Sequence, residues 1–480
     1  MTYIIIFIVY CIIVFGIGLW AQKKTDSMEQ FFVSDRDLGV LATGMAYYST
    51  AQSSGAFLGM VGWAYAYGWA SNNYVSIPIA LGAVLTWGLL ARRVRKIVGD
   101  MKGITVPDLL EHRFPKKSIR LVSLCIIIIA YIPMMIAQIK GCGILVQSVF
   151  NISFPLAAGI GLTIVSLYVM LGGMRAIAYT DVAQGFLMIA SIVVLCIASL
   201  VAVGGFTQMN LQAEMINPGT TGVWGVNDSW GPMYSLSFAL LFLLSPLGQP
   251  TYLTKFFSMK NMNVARYAMP ISYTCVFIAS FSFPIIGICA RVLFPNLANP
   301  DTAFTVMATS VLPPIVGAIV LVSLFAAVMS TIDAMLLSIT GAVVRDFYNQ
   351  FLGKTPSQKF LLRASMICTV SVSVLSYILT LNATGAIMTI SSASTGLLGA
   401  SFIVVMVAGV YTKKLTHQGA LAAMIVGFLG TLATTPGIIV HSPILGMNAF
   451  VWGLLSSIVA AVIVTAITKK GEDLAAIKSN

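Results

Sequence analysis

The chain has 480 residues, of which 58% are hydrophobic and 9% charged, against roughly 25% charged in soluble domains. That composition excludes an ordinary soluble domain. A formal net charge of +12 could signal nucleic-acid binding, but the basic residues are dispersed among short loops, which argues against it.

Apolar runs long enough to cross a bilayer recur throughout. They predict an all-α integral membrane protein with about thirteen transmembrane helices, near 2–21, 41–67, 74–95, 121–150, 154–171, 180–203, 233–257, 268–292, 312–343, 359–380, 386–411, 417–438 and 447–467. Lys and Arg crowd alternate loops: Lys23, Lys24 and Arg36, then Arg92 to Arg120, Arg175, Lys255 to Arg266, Arg345 to Arg363, Lys413 and Lys414, and Lys469 to Lys478. The positive-inside rule then places the N-terminus outside and the C-terminus in the cytoplasm of a cell (plasma or inner) membrane. Arg291 is the clear exception.

The first span has no charged leader or cleavage site and reads as a retained helix. The second runs through Ser49, Gln52, Ser53, Ser54, Gly55 and Gly59, a polar, glycine-containing stretch in mid-span. The fourth carries Lys140 between Gln138 and Gly141–Gly143. Such a lysine either snorkels to the surface or presents a buried ammonium to a carboxylate. At the seventh span, Ser245-Pro246-Leu247-Gly248-Gln249-Pro250 contains two residues without a backbone donor. Breaks five spans apart predict a five-plus-five inverted repeat whose first helix is broken in each half. The repeats cover 39–203 and 229–411 of a single domain, 1–480. A peripheral first helix (2–21) precedes them, and two C-terminal helices and a short tail follow (412–480).

Of the fifteen acidic residues, only Asp181 and Asp333 fall inside predicted spans. A carboxylate at mid-bilayer costs roughly 2.5 kcal/mol or more, which makes each a candidate functional residue with a partner. On the ninth span Ala327, Ser330, Thr331 and Ala334 share one face, where hydroxyls can meet a hard cation or bond back to their own helix. The seven cysteines and three histidines have no metal-site or disulfide spacing. No nucleophile–base constellation points to an enzyme.

The segment Gly172-Gly173-Met174-Arg175-Ala176-Ile177-Ala178-Tyr179-Thr180-Asp181 through Gln184, with Ala326-Ala327-Val328-Met329-Ser330-Thr331-Ile332-Asp333, resembles the two signatures of the sodium:solute symporter family. The resemblance spans nearly the whole chain. It implies a sodium site made by the carbonyls of Ser49, Gln52 and Ala327 and the hydroxyls of Ser330 and Thr331. Some members hold a second sodium with the acid matching Asp181, but their hydroxyl positions are Asp333 and Ala334 here, so a second cation or a shared proton both remain open. Ser53, Ser54, Lys140, Phe242 and Gln249 are the expected substrate contacts.

The expected function is sodium-coupled import of a small organic solute by alternating access. A carboxylate of pantothenate or monocarboxylate type is favoured, because Gly59 to Tyr65 resembles those members. The Gly248-Gln249-Pro250 turn keeps a proline or other amino-acid carrier as the alternative. A channel or a transporter-like sensor is a further alternative; the short tail after the last span speaks against the sensor. Sodium is the only expected coupling ion, and no other cofactor, nucleic acid or obligatory protein partner is expected.

Overall fold

The computed structural model describes residues 1–22, 38–101, 105–351, 357–436 and 439–479; side chains at 21, 22, 100, 171–176, 178, 179, 345, 349–351, 358, 359, 362 and 470–479 lie outside the description. Lys23, Lys24 and Arg36, used above for topology, are outside it, as are the side chains of most of the Gly172–Tyr179 stretch. Among the described residues the fold is all-helical, with only two isolated β-bridges, Leu38–Met259 and Pro436–Val440.

Among the described residues, eleven helices are long and apolar enough to cross a membrane. The expected thirteen also included 41–67, which is interrupted, and 154–171, where the apolar helix Phe154–Met170 is shorter than those eleven. The helices that build the site are α1 (Thr2–Gln22), α2 (Val40–Ala51), α3 (Val61–Tyr67), α4 (Lys117–Phe150), α5 (Phe154–Ala202), α6 (Pro232–Leu244), α7 (Pro250–Phe257), α8 (Met262–Leu293), α9 (Pro314–Thr340) and α10 (Ile387–Tyr411).

The stretch between 171 and 180 lies within α5. Tyr168 Oη nevertheless meets Thr180 Oγ1, twelve residues further on, where a straight helix would hold the two about 18 Å apart along its axis. The two apolar runs of α5, one on either side of this stretch, therefore fold back on each other.

The outer helices expose Ile12, Ile367 and Val462, as helices facing lipid do. At the centre is α9, buried at every residue from 320 to 337. It has no charged residue in that stretch except Asp333, so its neighbours decide what Asp333 meets.

The two breaks form where the sequence places them. α2 ends at Ala51, and Gln52 is extended (φ −87°, ψ 124°). The chain resumes at Ser54 through a wider π-type stretch, Gly55–Met60, before α3. At the second break α6 passes into a tight turn, Ser245–Gly248, and Gln249 is again extended (φ −86°, ψ 113°). Pro250 explains this locally. It disfavours helical geometry in the residue before it and is well suited to the first position of α7.

Both breaks rest on α10. A Cβ at Gly59 would lie 3.0 Å from Met388 Cβ and 3.1 Å from Met388 N. A Cβ at Gly248 would lie 3.1 Å from both Ile403 N and Leu398 O. Only a residue without a side chain lets these backbones approach so closely.

Candidate ion and solute site

Five oxygens converge where α9 crosses the first break. Ser330 Oγ is 3.0 Å from the Ser49 carbonyl oxygen and 3.1 Å from that of Ala327. Thr331 Oγ1 is 2.9 Å from both the Gln52 and the Ala327 carbonyl oxygens. Ser49, Gln52, Ala327, Ser330 and Thr331 are all buried. Each hydroxyl has one proton but faces two carbonyls, so it satisfies one acceptor at a time. A small hard cation would supply the missing positive centre to all five oxygens. The structure therefore brings together all five residues that the resemblance named for sodium.

Next to this cluster is a second buried constellation. Lys255 Nζ on α7 donates to Asp181 Oδ2 on α5 at 2.7 Å, with the side chains 1% and 0% exposed. The Ser49 hydroxyl, which donates to the Ala46 carbonyl at 3.2 Å, also lies beside Asp181. Asp333 is within electrostatic range of both Asp181 and Lys255, and among the described residues neither of its oxygens has a hydrogen-bond donor. Tyr10 of α1 closes the side of the constellation, accepting from Gln184 Nε2 at 2.8 Å.

Lys255 corrects the sequence reading, which counted it as a loop charge and treated Lys140 as the deep lysine. Its immediate context gave a signal that went unused. Tyr252, Leu253, Phe256 and Phe257 surround it in sequence, and they give α7 an apolar face for a lysine to share.

A small cavity of about 80 Å³ lies between the two breaks. Ser53, Gly55, Phe242, Pro246 and Gln249 line it, together with Thr331 of the oxygen cluster. Sequence reasoning missed Tyr131, Ser391 and Thr395, which also line it. Tyr131 Oη accepts from the Thr251 N–H at 3.1 Å, and the Thr395 carbonyl accepts from Gln249 Nε2 at 3.4 Å. The hydroxyls of Thr50, Ser245 and Ser391, also at the cavity, have no hydrogen-bond partner among the described residues. Among the described residues, no charged side chain is part of the lining.

Two expected substrate residues are elsewhere. Ser54 faces α4, donating its N–H to Gln138 Oε1 at 2.9 Å and its hydroxyl to the Ala137 carbonyl at 3.0 Å. The absence of a side chain at Gly141 makes room for it, since a Cβ there would lie 2.4 Å from Ser54 Cβ. Lys140 is half-buried and donates to the Gly385 carbonyl. It also acts electrostatically on Asp301, whose carboxylate accepts from the Ile387 N–H at 3.1 Å. Burial raises the Asp301 carboxyl above its usual range, opposed by that N–H and by Lys140. Lys140 thus joins α4 to the segment before α10, outside the cavity lining.

A buried oxygen cluster and a cavity enclosed by two broken helices define a membrane carrier. The chain matches the family described as "SSF: Sodium:solute symporter family" over residues 31–427. It belongs to the sodium:solute symporter family. It is 29% identical over 464 residues to the sodium/pantothenate symporter of Haemophilus influenzae, covering 93% of this chain and 94% of that protein. It is 26% identical over 470 residues to the osmoregulated proline transporter OpuE of Bacillus subtilis, with 96% and 94% covered. Its fold resembles that of a Na+-coupled sialic acid symporter solved in a substrate-bound outward-open state, with a TM-score of 0.79, 17% identity, and 97% and 98% of the two chains covered. The fold also resembles Mhp1, a nucleobase-cation-symport-1 family transporter, with a TM-score of 0.61, 14% identity and 92% and 95% coverage.

Proposed function

We propose that this protein imports a small organic carboxylate, of pantothenate or monocarboxylate type, together with sodium by alternating access. The observation that carries this reading is the contact of Ser330 and Thr331 with the carbonyls of Ser49 and Gln52. These oxygens come from opposite elements, α9 and the first break. An ion held between them ties the two together, and its departure frees them to move apart. Thr331 also lines the cavity, so ion and solute share a wall.

The cavity supports a solute of small size, and its polarity comes from hydroxyls, Gln249 and backbone. Without a charged lining residue, a carboxylate is met by the hydroxyls of Thr50, Ser245 and Ser391 and by the Gln249 amide. Residues 39–203 and 229–411 are the two inverted repeats in this reading, with the N-terminus outside and the C-terminus in the cytoplasm. Relatives of the chain include sodium/pantothenate symporters from two bacteria, which supports the carboxylate class.

The test is counterflow in proteoliposomes, using labelled pantothenate, lactate and proline in turn. A carrier of this class exchanges pantothenate or lactate only when sodium is present. Exchange of proline alone would move the assignment to an amino acid. Sodium-independent passage of all three would contradict carrier coupling.

A further inference from the structure

We propose that the Lys255 ammonium is a built-in second cation. It occupies the place beside Asp181 that would otherwise take an ion, and so limits the protein to one exchangeable sodium. The inference rests on the reading that Ser330 and Thr331 hold that sodium.

Lys255 Nζ is 2.7 Å from Asp181 Oδ2, a charge-assisted hydrogen-bond distance. Both side chains are fully enclosed, so bulk water and bulk ions do not screen the pair. Asp181 reaches the sodium cluster through a single residue, Ser49. Its hydroxyl lies beside the Asp181 carboxylate, and its carbonyl faces Ser330. A mobile cation at Asp181 would therefore sit one residue from the first ion. A tethered ammonium gives the same charge compensation without entering or leaving.

The tether also has a defined origin. Lys255 is on α7, the short helix that Pro250 starts after the second break, whereas Asp181 is on α5. The charge thus belongs to the second half of the chain and is presented to the first. Asp333, on α9 with no donor at either oxygen among the described residues, adds a second carboxylate to the same enclosure. Loss of Lys255 would leave two acids without a cation, an arrangement that shares a proton at low pH and at alkaline pH, where sodium binding is measured, offers carboxylate oxygens to a hard cation.

An ordinary structural ion pair would influence stability and leave ion number alone. The discriminating measurement is therefore equilibrium binding of radioactive sodium to the purified full-length protein. Wild type is expected to bind one sodium per chain. Lys255→Met is expected to bind two, and Lys255→Arg one. Lys255→Gln takes the place of the Met variant if that one does not assemble, with two again expected. Asp181→Asn combined with Lys255→Met removes both charges and should return the count to one. Two sodium ions on the wild type, or one on both Lys255→Met and Lys255→Gln, would overturn the inference while leaving the sodium reading intact. No saturable sodium on the wild type would overturn both.

Discussion

At the residue scale, the sodium reading depends on two hydroxyls. Ser330→Ala or Thr331→Ala removes one ligand from a buried five-oxygen cluster. The loss should cost on the order of 1–3 kcal/mol, and so raise the half-saturating sodium for uptake roughly five- to more than a hundredfold. Unchanged sodium dependence in both, at normal expression, would remove them from the site. Asp181 and Lys255 behave differently, because removing one partner strands the other's charge. Asp181→Asn should destabilise the protein by about 3–5 kcal/mol, and adding Lys255→Met should recover much of that in detergent melting curves. Equal melting of the Asp181→Asn single and the double variant would show that the ion pair contributes little. The cluster hydroxyls were legible because their spacing on α9 and the nearby acid can both be read along the chain. The Lys255–Asp181 pair was not, because it joins residues 74 positions apart and a lysine near a span end counts first as a loop charge. The contact made by Lys140 was not legible for a related reason. Its glycine neighbours indicated burial, but the sequence does not show that its ammonium meets Gly385. Lys140→Met should accordingly change the half-saturating solute by less than about twofold, the scale of a surface substitution. Loss of uptake through a large rise in that value would return Lys140 to the substrate site.

At the element scale, the breaks were readable from Pro246, Pro250 and the glycines of the second span, whose backbone chemistry is local. Their shared support on α10 was not, since Met388, Leu398 and Ile403 look like any apolar helix in sequence. The two apolar runs that α5 joins were legible as separate spans, but the meeting of Tyr168 on one with Thr180 on the other was not. The support on α10 predicts a steric result. Gly59→Leu pushes a side chain into Met388, where a Cβ alone already lies at 3.0 Å. Overpacking of this kind costs typically 1–3 kcal/mol, and here it also displaces the first break. Gly59→Leu should abolish uptake in protein that still reaches the membrane, as read by transport against surface expression. Wild-type transport by this variant would mean that the contact between the break and α10 is not required in the cycle.

At the scale of the whole molecule, the membrane class was legible in composition alone, and the family in two short segments. The closing of the fold around α9 needed the structure, because it depends on which faces of eleven helices meet. The charge arrangement then sets the energetics of transport. One sodium moving down a tenfold gradient supplies about 1.4 kcal/mol, and a potential of 100 mV adds about 2.3 kcal/mol for each net charge moved. A monoanion carried with one sodium moves no net charge, so the sodium gradient alone would drive it. A zwitterion carried with one sodium would respond to both. The most direct test of sodium coupling is accumulation of labelled pantothenate, lactate and proline in proteoliposomes, with an inward sodium gradient and then with equal sodium on both sides. The account predicts that a carboxylate concentrates above its outside level only under the gradient, and that Ser330→Ala combined with Thr331→Ala removes this. Uptake of the transported solute that is the same with and without the gradient would contradict it.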